Sequence, residues 1–172
     1  MNTFYVLVGS NINKRYHINQ CHQQLRQLTQ VVAFSSVYET AAVGSTGEVV
    51  EQESYYNLAY QIKSPMSVRE FKQTICQSIE ASLCRVRTKD KCAARTIDVD
   101  IVLYNNEIYS DVGITLPAPD ILTASYVLLP LVEIAGDYVH PIKKQSLESI
   151  LSKASFDRII KKVDVITPDE SS

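Results

Sequence analysis

Apolar and other positions alternate through Ile97, Val99, Ile101 and Leu103, the period of a strand with one buried face. Asp98 and Asp100 stand between them and therefore share the opposite face. The apolar run from Thr3 to Ser10 reads as a buried strand that turns at Gly9-Ser10-Asn11. Lys14 to Leu28 repeats at helical spacing and sets Ile18, Cys21, Leu25 and Leu28 on one face. Val31 to Tyr38 reads as a second strand and Tyr55 to Lys63 as a third. Ser67-Val68-Arg69-Glu70 matches a capping box, and the helix it opens turns Val68, Phe71, Ile75 and Ile79 inward. After the Asp-bearing strand, Asn105-Asn106 turns the chain into a short hairpin partner around Glu107 to Leu116, which Pro117 and Pro119 break. Residues 123–135 look helical, with Pro130 forcing a kink or a boundary. Ser146 caps a last helix ending near Lys153, and the acidic, Ser-rich end from Pro168 is expected to fray.

The order strand-helix-strand-strand-helix-strand is the ferredoxin-like pattern of an α+β fold. It predicts a mainly antiparallel sheet with helices packed on it, extended by a C-terminal helical part. Two polar, irregular stretches, 41–54 and 82–94, are long for loops in a compact domain and are expected to border a functional site.

Composition narrows the possibilities. At 172 residues, one domain over 1–172 is expected. A chain of this length buries roughly 70% of its unfolded surface and needs no staples. The net charge of −2 gives no global attraction to nucleic acid or to an anionic membrane, so any phosphate site must be a local basic patch. Cys21, Cys76, Cys84 and Cys92 show no C-x-x-C spacing, which argues against a zinc site or a disulfide framework. Cys21 and Cys76 fall on apolar helix faces. No leader-like N-terminus and no run of 18 apolar residues is present in the sequence, so a cytoplasmic location is expected.

The Asp pair carries the chemistry. Two residues along a strand span about 6.6 Å, a separation at which two carboxylates converge on one hard cation or on two sharing bridging oxygens. Arg95 stands at the mouth of the strand, with Arg85 and Arg87 upstream. Carboxylates for Mg²⁺ beside guanidinium groups for phosphate are what phosphoryl transfer needs. By spacing alone, Asp-x-Asp also fits a solvated face of an antiparallel sheet.

Five segments in order extend the picture: Val6-Leu7-Val8-Gly9-Ser10-Asn11; Ser35-Ser36-Val37-Tyr38-Glu39-Thr40 with Val43-Gly44; Tyr55-Tyr56-Asn57; Arg95-Thr96-Ile97-Asp98-Val99-Asp100; and Leu128-Leu129-Pro130-Leu131-Val132-Glu133-Ile134-Ala135 with His140-Pro141. Together they resemble the 6-hydroxymethyl-7,8-dihydropterin pyrophosphokinase family from Phe4 to about Phe156. The resemblance implies transfer of the β,γ-diphosphoryl unit of ATP to the hydroxymethyl oxygen of a reduced pterin in folate biosynthesis, leaving AMP. It implies two Mg²⁺ ions on Asp98 and Asp100, with Arg85 and Arg95 on phosphate as catalytic residues and Glu80 near the nucleotide. Tyr55 and Tyr126 match the aromatics on either side of the pterin, Asn57 a residue on its amide-like edge, and Thr40 and Val43 positions whose backbone completes that edge. The implied partners are small molecules, with no nucleic acid or membrane, and a monomer is expected.

The sequence departs from the family pattern mainly on the nucleotide side. Cys92-Ala93-Ala94 replaces Trp-Gly-Pro before the signature Arg; the Trp is the aromatic that packs over the bound pterin. Ala118 stands for a His, Ala124 for an Arg, and Thr88 for a commonly basic residue. A second reading, a paralogue that binds pterin or nucleotide without efficient turnover, rests on these departures.

Overall fold

The computed structural model describes residues 1–41, 53–83, 96–155 and 160–167. A six-stranded sheet carries β1 (Asn2–Ser10), β2 (Gln30–Phe34), β3 (Val37–Thr40), β4 (Tyr55–Ser64), β5 (Asp98–Tyr104) and β8 (Ile160–Val163). Its order is β5-β1-β4-β3-β8, with β2 also on β4, and every pair is antiparallel. The ferredoxin-like expectation holds. Between β1 and β2 runs α1 (Lys14–Leu28). Between β4 and β5 come α2 (Val68–Phe71), a π-helical turn (Lys72–Cys76) and α3 (Gln77–Ser82). After β5, β6 (Tyr109–Asp111) and β7 (Ile114–Leu116) form a separate hairpin, followed by α4 (Ser125–Ala135) and α5 (Leu147–Lys153).

β1 explains the layering. Phe4, Val6 and Val8 point into a cluster with Ile18, Cys21 and Leu25 of α1 and Phe71, Ile75 and Ile79 of the second helical stretch. Tyr5 and Leu7 point the other way, into a cluster with Val127, Leu128 and Leu131 of α4 and Leu147 of α5. Helices therefore cover both faces of β1, as the reading of Thr3 to Ser10 as a buried strand expects. Fully burying an Ile or Leu here is worth about 1.5–3 kcal/mol. Leu28 gains little of that, being 52% exposed. It lies ten residues beyond Ile18, at the edge of the apolar stripe, and the chain turns away at Thr29.

Local chemistry sets the element ends. Ser67 Oγ accepts from Glu70 N–H at 3.2 Å and Glu70 Oε2 accepts from Ser67 N–H at 2.8 Å, the expected capping box. Ser146 caps α5 by accepting from Ser149 N–H at 3.1 Å. Pro130 lies inside α4 and does not end it. The single strand expected over Val31 to Tyr38 is two. Ser35 Oγ accepts from Ala59 N–H at 2.9 Å, and Ser36 N–H donates to Glu133 on α4. These side-chain bonds replace the ladder and separate β2 from β3. In β5, Val6 opposes Ile101 but Tyr5 opposes Leu103. The bulge turns both Val102 and Leu103 toward the α4 side, so Leu103 leaves the face it was expected to share with Ile97 and Val99. The segment around Glu107 to Leu116 pairs with itself as β6 and β7. Among the described residues, no helix is long and apolar enough to cross a membrane. The tail from Pro168 lies outside the described residues.

Candidate active site

Cross-strand register builds one row. Gly9 of β1 faces Asp98 of β5 on one side and Asn57 of β4 on the other, and Asn57 faces Tyr38 of β3. Strands lie about 4.8 Å apart, so Asp98 and Asn57 stand roughly 9.6 Å apart across the sheet. Asp100 follows opposite Leu7, and Tyr55 pairs with Thr40. Residues two apart share a face, which joins Asp98 to Asp100 and Tyr55 to Asn57.

This end of the face opens as a cleft of about 610 Å³. Thr40, Tyr55, Asn57, Asp98, Asp100 and Tyr126 all line it, although they come from four elements. Tyr126 reaches it from the first turn of α4. Ile114 and Leu116 of the hairpin form the far wall, with Ala118 and Asp120 beyond them. The sequence reading thus brings both carboxylates, both tyrosines and the amide to one place.

Asn57 is 5% exposed and lines the cleft, with an amide that carries both donors and an acceptor. Gly9 gives it room: a Cβ there would stand 2.6 Å from Asn57 Oδ1. In the sequence Gly9 marks only the turn at the end of the first strand. The direct signal, Gly9 opposite Asn57, exists only in the register.

Asp98 is half-buried and Asp100 exposed at the cleft. Among the described residues no three His, Cys, Asp or Glu side chains gather as a metal cage. That donor set fits Mg²⁺, which is commonly held by one or two carboxylates and completed by water and substrate phosphates. Glu80 is buried, and its Oε1 accepts from Val99 N–H at 3.1 Å. β5 is the edge strand, and Glu80 supplies an acceptor that no further strand offers. Glu80 is not among the described residues that line the cleft. Val43, Arg85 and Arg95 lie outside the described residues, as do Thr88 and Cys92-Ala93-Ala94.

Glu133 fixes α4 over the sheet. Its carboxylate accepts from Ser36 N–H, from Tyr38 Oη–H at 3.1 Å, and pairs with Lys162 Nζ at 3.2 Å. Burial pushes the Glu133 carboxyl up, but the bonds from Ser36, Lys162 and Tyr38 together bring it below the usual carboxylate range. Burial and the adjacent Glu133 push the Tyr38 phenol up. Glu133 lies seven residues after Tyr126, two helical turns along the same face of α4, so this knot also steadies Tyr126. On the other side of the sheet, Glu39 joins both stems of the 42–52 segment. It accepts from Ser54 Oγ at 2.8 Å and pairs with Lys14 and Lys161 at 3.5 and 3.3 Å.

Known proteins agree with this architecture. The 2-amino-4-hydroxy-6-hydroxymethyldihydropteridine pyrophosphokinase of Haemophilus influenzae is 31% identical over 166 residues, covering 94% of this chain and 98% of that one. The Bacillus subtilis protein of the same description is 34% identical over 136 residues, 77% and 78% of the two chains. Folic acid synthesis protein fol1 of Pneumocystis carinii is 30% identical over 87% of this chain, which spans 20% of that longer protein. In fold, the crystal structure of wild-type Plasmodium falciparum HPPK-DHPS superposes with a TM-score of 0.66 at 12% identity, covering 88% of this chain and 44% of that one. Residues 5–136 match the family model for 7,8-dihydro-6-hydroxymethylpterin-pyrophosphokinase, and the chain belongs to that family.

Proposed function

We propose that this chain transfers the β,γ-diphosphoryl unit of ATP to the hydroxymethyl oxygen of 6-hydroxymethyl-7,8-dihydropterin, releasing AMP, in folate biosynthesis. The observation that carries the reading is the single row Asp98–Gly9–Asn57, with Tyr55 and Tyr126 in the same cleft. Asn57 offers a donor and an acceptor to the amide-like edge of a pterin. Tyr55 and Tyr126 supply aromatic faces for its rings. The two-strand separation leaves the hydroxymethyl arm directed toward Asp98 and Asp100.

The chemistry is an in-line exchange at the β-phosphorus. The hydroxymethyl oxygen forms a bond to it and loses its proton to solvent water. The bond from the β-phosphorus to the oxygen of the α-phosphate breaks, and that electron pair leaves with AMP. Asp98 and Asp100 are the residues that would hold two Mg²⁺ ions, which neutralise the polyphosphate charge. Among the described residues no third acid clusters with them as a metal cage, which suits an ion that the substrate itself completes. Arg85 and Arg95 are proposed on the phosphates, where a guanidinium fork matches phosphate oxygens. Glu80 is proposed to support the nucleotide side through β5. The backbone of Val43, with that of Thr40, is proposed to complete the pterin edge. Small molecules are the substrates, and the protein is proposed to act as a cytoplasmic monomer.

A coupled assay for AMP with Mg-ATP and the dihydropterin tests the reading. AMP release that needs both substrates and Mg²⁺ is expected. Its absence in folded protein would overturn the proposal.

A further inference from the structure

The cleft extends around the edge of β5 to a wall the sequence did not identify. Lys72 opens the π-helical turn Lys72–Cys76 and lines the cleft there. Such turns are rare and recur at functional sites. Among the described residues lining the cleft, Lys72 is the one basic side chain, and Asp98, Asp100 and Asp120 face the same space. Its Nζ donates to Gly113 O at 3.3 Å. An ammonium has three N–H donors, so this bond aims the group without exhausting it. Gly113, between β6 and β7, has a φ of 77°, and a Cβ there would stand 3.9 Å from Lys72 Nζ. The hairpin that carries Gly113 is in turn tied to α2 by the Arg69–Asp111 pair.

Lys72 shares this wall with Cys76, at the other end of the π-helical turn, and both line the same cleft as Asp98 and Asp100. Cys76 belongs to the α1 side of the sheet, whereas Ala59 and Leu7, the face neighbours of Asn57 and Asp100, belong to the α4 side. Across the edge strand, then, Tyr55 and Asn57 occupy one end of the cleft and Lys72 the other, with Asp98 and Asp100 between.

We propose that Lys72 binds the α-phosphate of the nucleotide, the group on which the electron pair of the broken β-phosphorus–oxygen bond comes to rest. This rests on the diphosphoryl-transfer reading of the cleft. It assigns the leaving-group charge to a lysine on the π turn, in a cleft where Ala118 offers no cation.

The test separates this role from simple support of the hairpin. Calorimetry in Mg²⁺ buffer measures ATP, AMP and adenosine on wild type, Lys72→Met and Lys72→Arg. The Met variant should lose about 10- to 100-fold in ATP and AMP affinity, the worth of one charge-assisted bond. Adenosine should change less than about twofold, and Lys72→Arg should keep most phosphate affinity because it keeps the charge. In turnover, the Met variant should be impaired toward Mg-ATP at an unchanged KM for the pterin. Equal losses for AMP and adenosine would mean that Lys72 only holds the hairpin. Unchanged AMP affinity would exclude the contact. If wild type binds these nucleotides but releases no AMP, the transfer reading fails while the nucleotide comparison still decides Lys72. If wild type binds none of them, both fail.

Discussion

Gly9→Ala is the smallest change that probes the pterin end of the cleft. The new methyl would meet Asn57 Oδ1 at 2.6 Å, Asn57 Cγ at 3.7 Å and Tyr56 O at 3.8 Å. The last two contacts are ordinary, so the backbone of β4 need not move. Oδ1 must retreat by roughly 0.5 Å or more to reach van der Waals distance. It is the end of a side chain that can rotate, so the stability cost should stay at or below the about 1–3 kcal/mol of ordinary overpacking. The ligand effect is larger in proportion. The amide is proposed to give the pterin one donor and one acceptor, each worth about 0.5–1.5 kcal/mol net. Losing both weakens pterin binding by roughly 5- to 150-fold. Calorimetry with a pterin analogue, alongside a thermal melt, reads both quantities. Asn57→Ala in the Gly9→Ala background should add little, because both changes remove one interaction. Unchanged pterin affinity in folded Gly9→Ala protein would refute the role of this contact. A collapse of the melt would show that the backbone, and not the amide, bears the strain.

Four further outcomes are expected. Asp98→Ala and Asp100→Ala should each abolish AMP release in folded protein, because each removes a carboxylate proposed to hold Mg²⁺; retained activity in either would remove that residue from the metal assignment. Asn57→Leu should lose far more pterin affinity than Tyr126→Phe, because the Phe keeps an aromatic face and the Leu strands polar ligand groups; equal titrations would contradict the placement. The Ser54 hydrogen bond, with Lys161 and Lys14, holds the Glu39 carboxyl low, and the bonds to Glu133 outweigh its burial. Carboxyls lowered in the folded state stabilise it above their unfolded range, near pH 4.3, and that stability is lost as pH falls through the folded values; Glu133→Gln should flatten this acid limb in melts recorded against pH. Ala118→His should tighten Mg-ATP binding by about 10- to 100-fold if the imidazole reaches phosphate, since a hydrogen bond to a charged group is worth about 1.5–3 kcal/mol; no gain would show that the existing cations already fill that role.

Legibility followed the number of faces an element must satisfy. α1 has one buried stripe and a solvated back, and its observed bounds, Lys14–Leu28, are those the periodicity predicts. The capping box at Ser67 is purely local and held for the same reason. Strands buried on both faces were harder. In β5 the alternation is sound through Val99, then the bulge reverses it, and no composition signal marks the extra residue. The Ser35–Ser36 break depends on Ala59 and Glu133, which are distant in sequence. β8 is four residues with two lysines and becomes a strand only because β3 offers an edge.

The site divides in the same way. The shared face of Asp98 and Asp100 was readable because the two lie two residues apart on a strand, and period two survives any helix packing above it. Tyr55, Asn57 and Tyr126 were singled out only through the family resemblance, and the place of Tyr126 in the cleft depends on where α4 docks. The substitutions Ala118 and Ala124 looked like one lost basic pair. The cleft separates them: Ala118 lines it, whereas Ala124 precedes α4 and packs into the cluster beneath that helix. Ala118 is therefore a small, uncharged side chain on the cleft wall, and an alanine at 124 is first of all a packed helix start. Compensation has to come from a residue that already faces the cleft, and the wall at Lys72 and Gly113 is where the fold offers a cation for it.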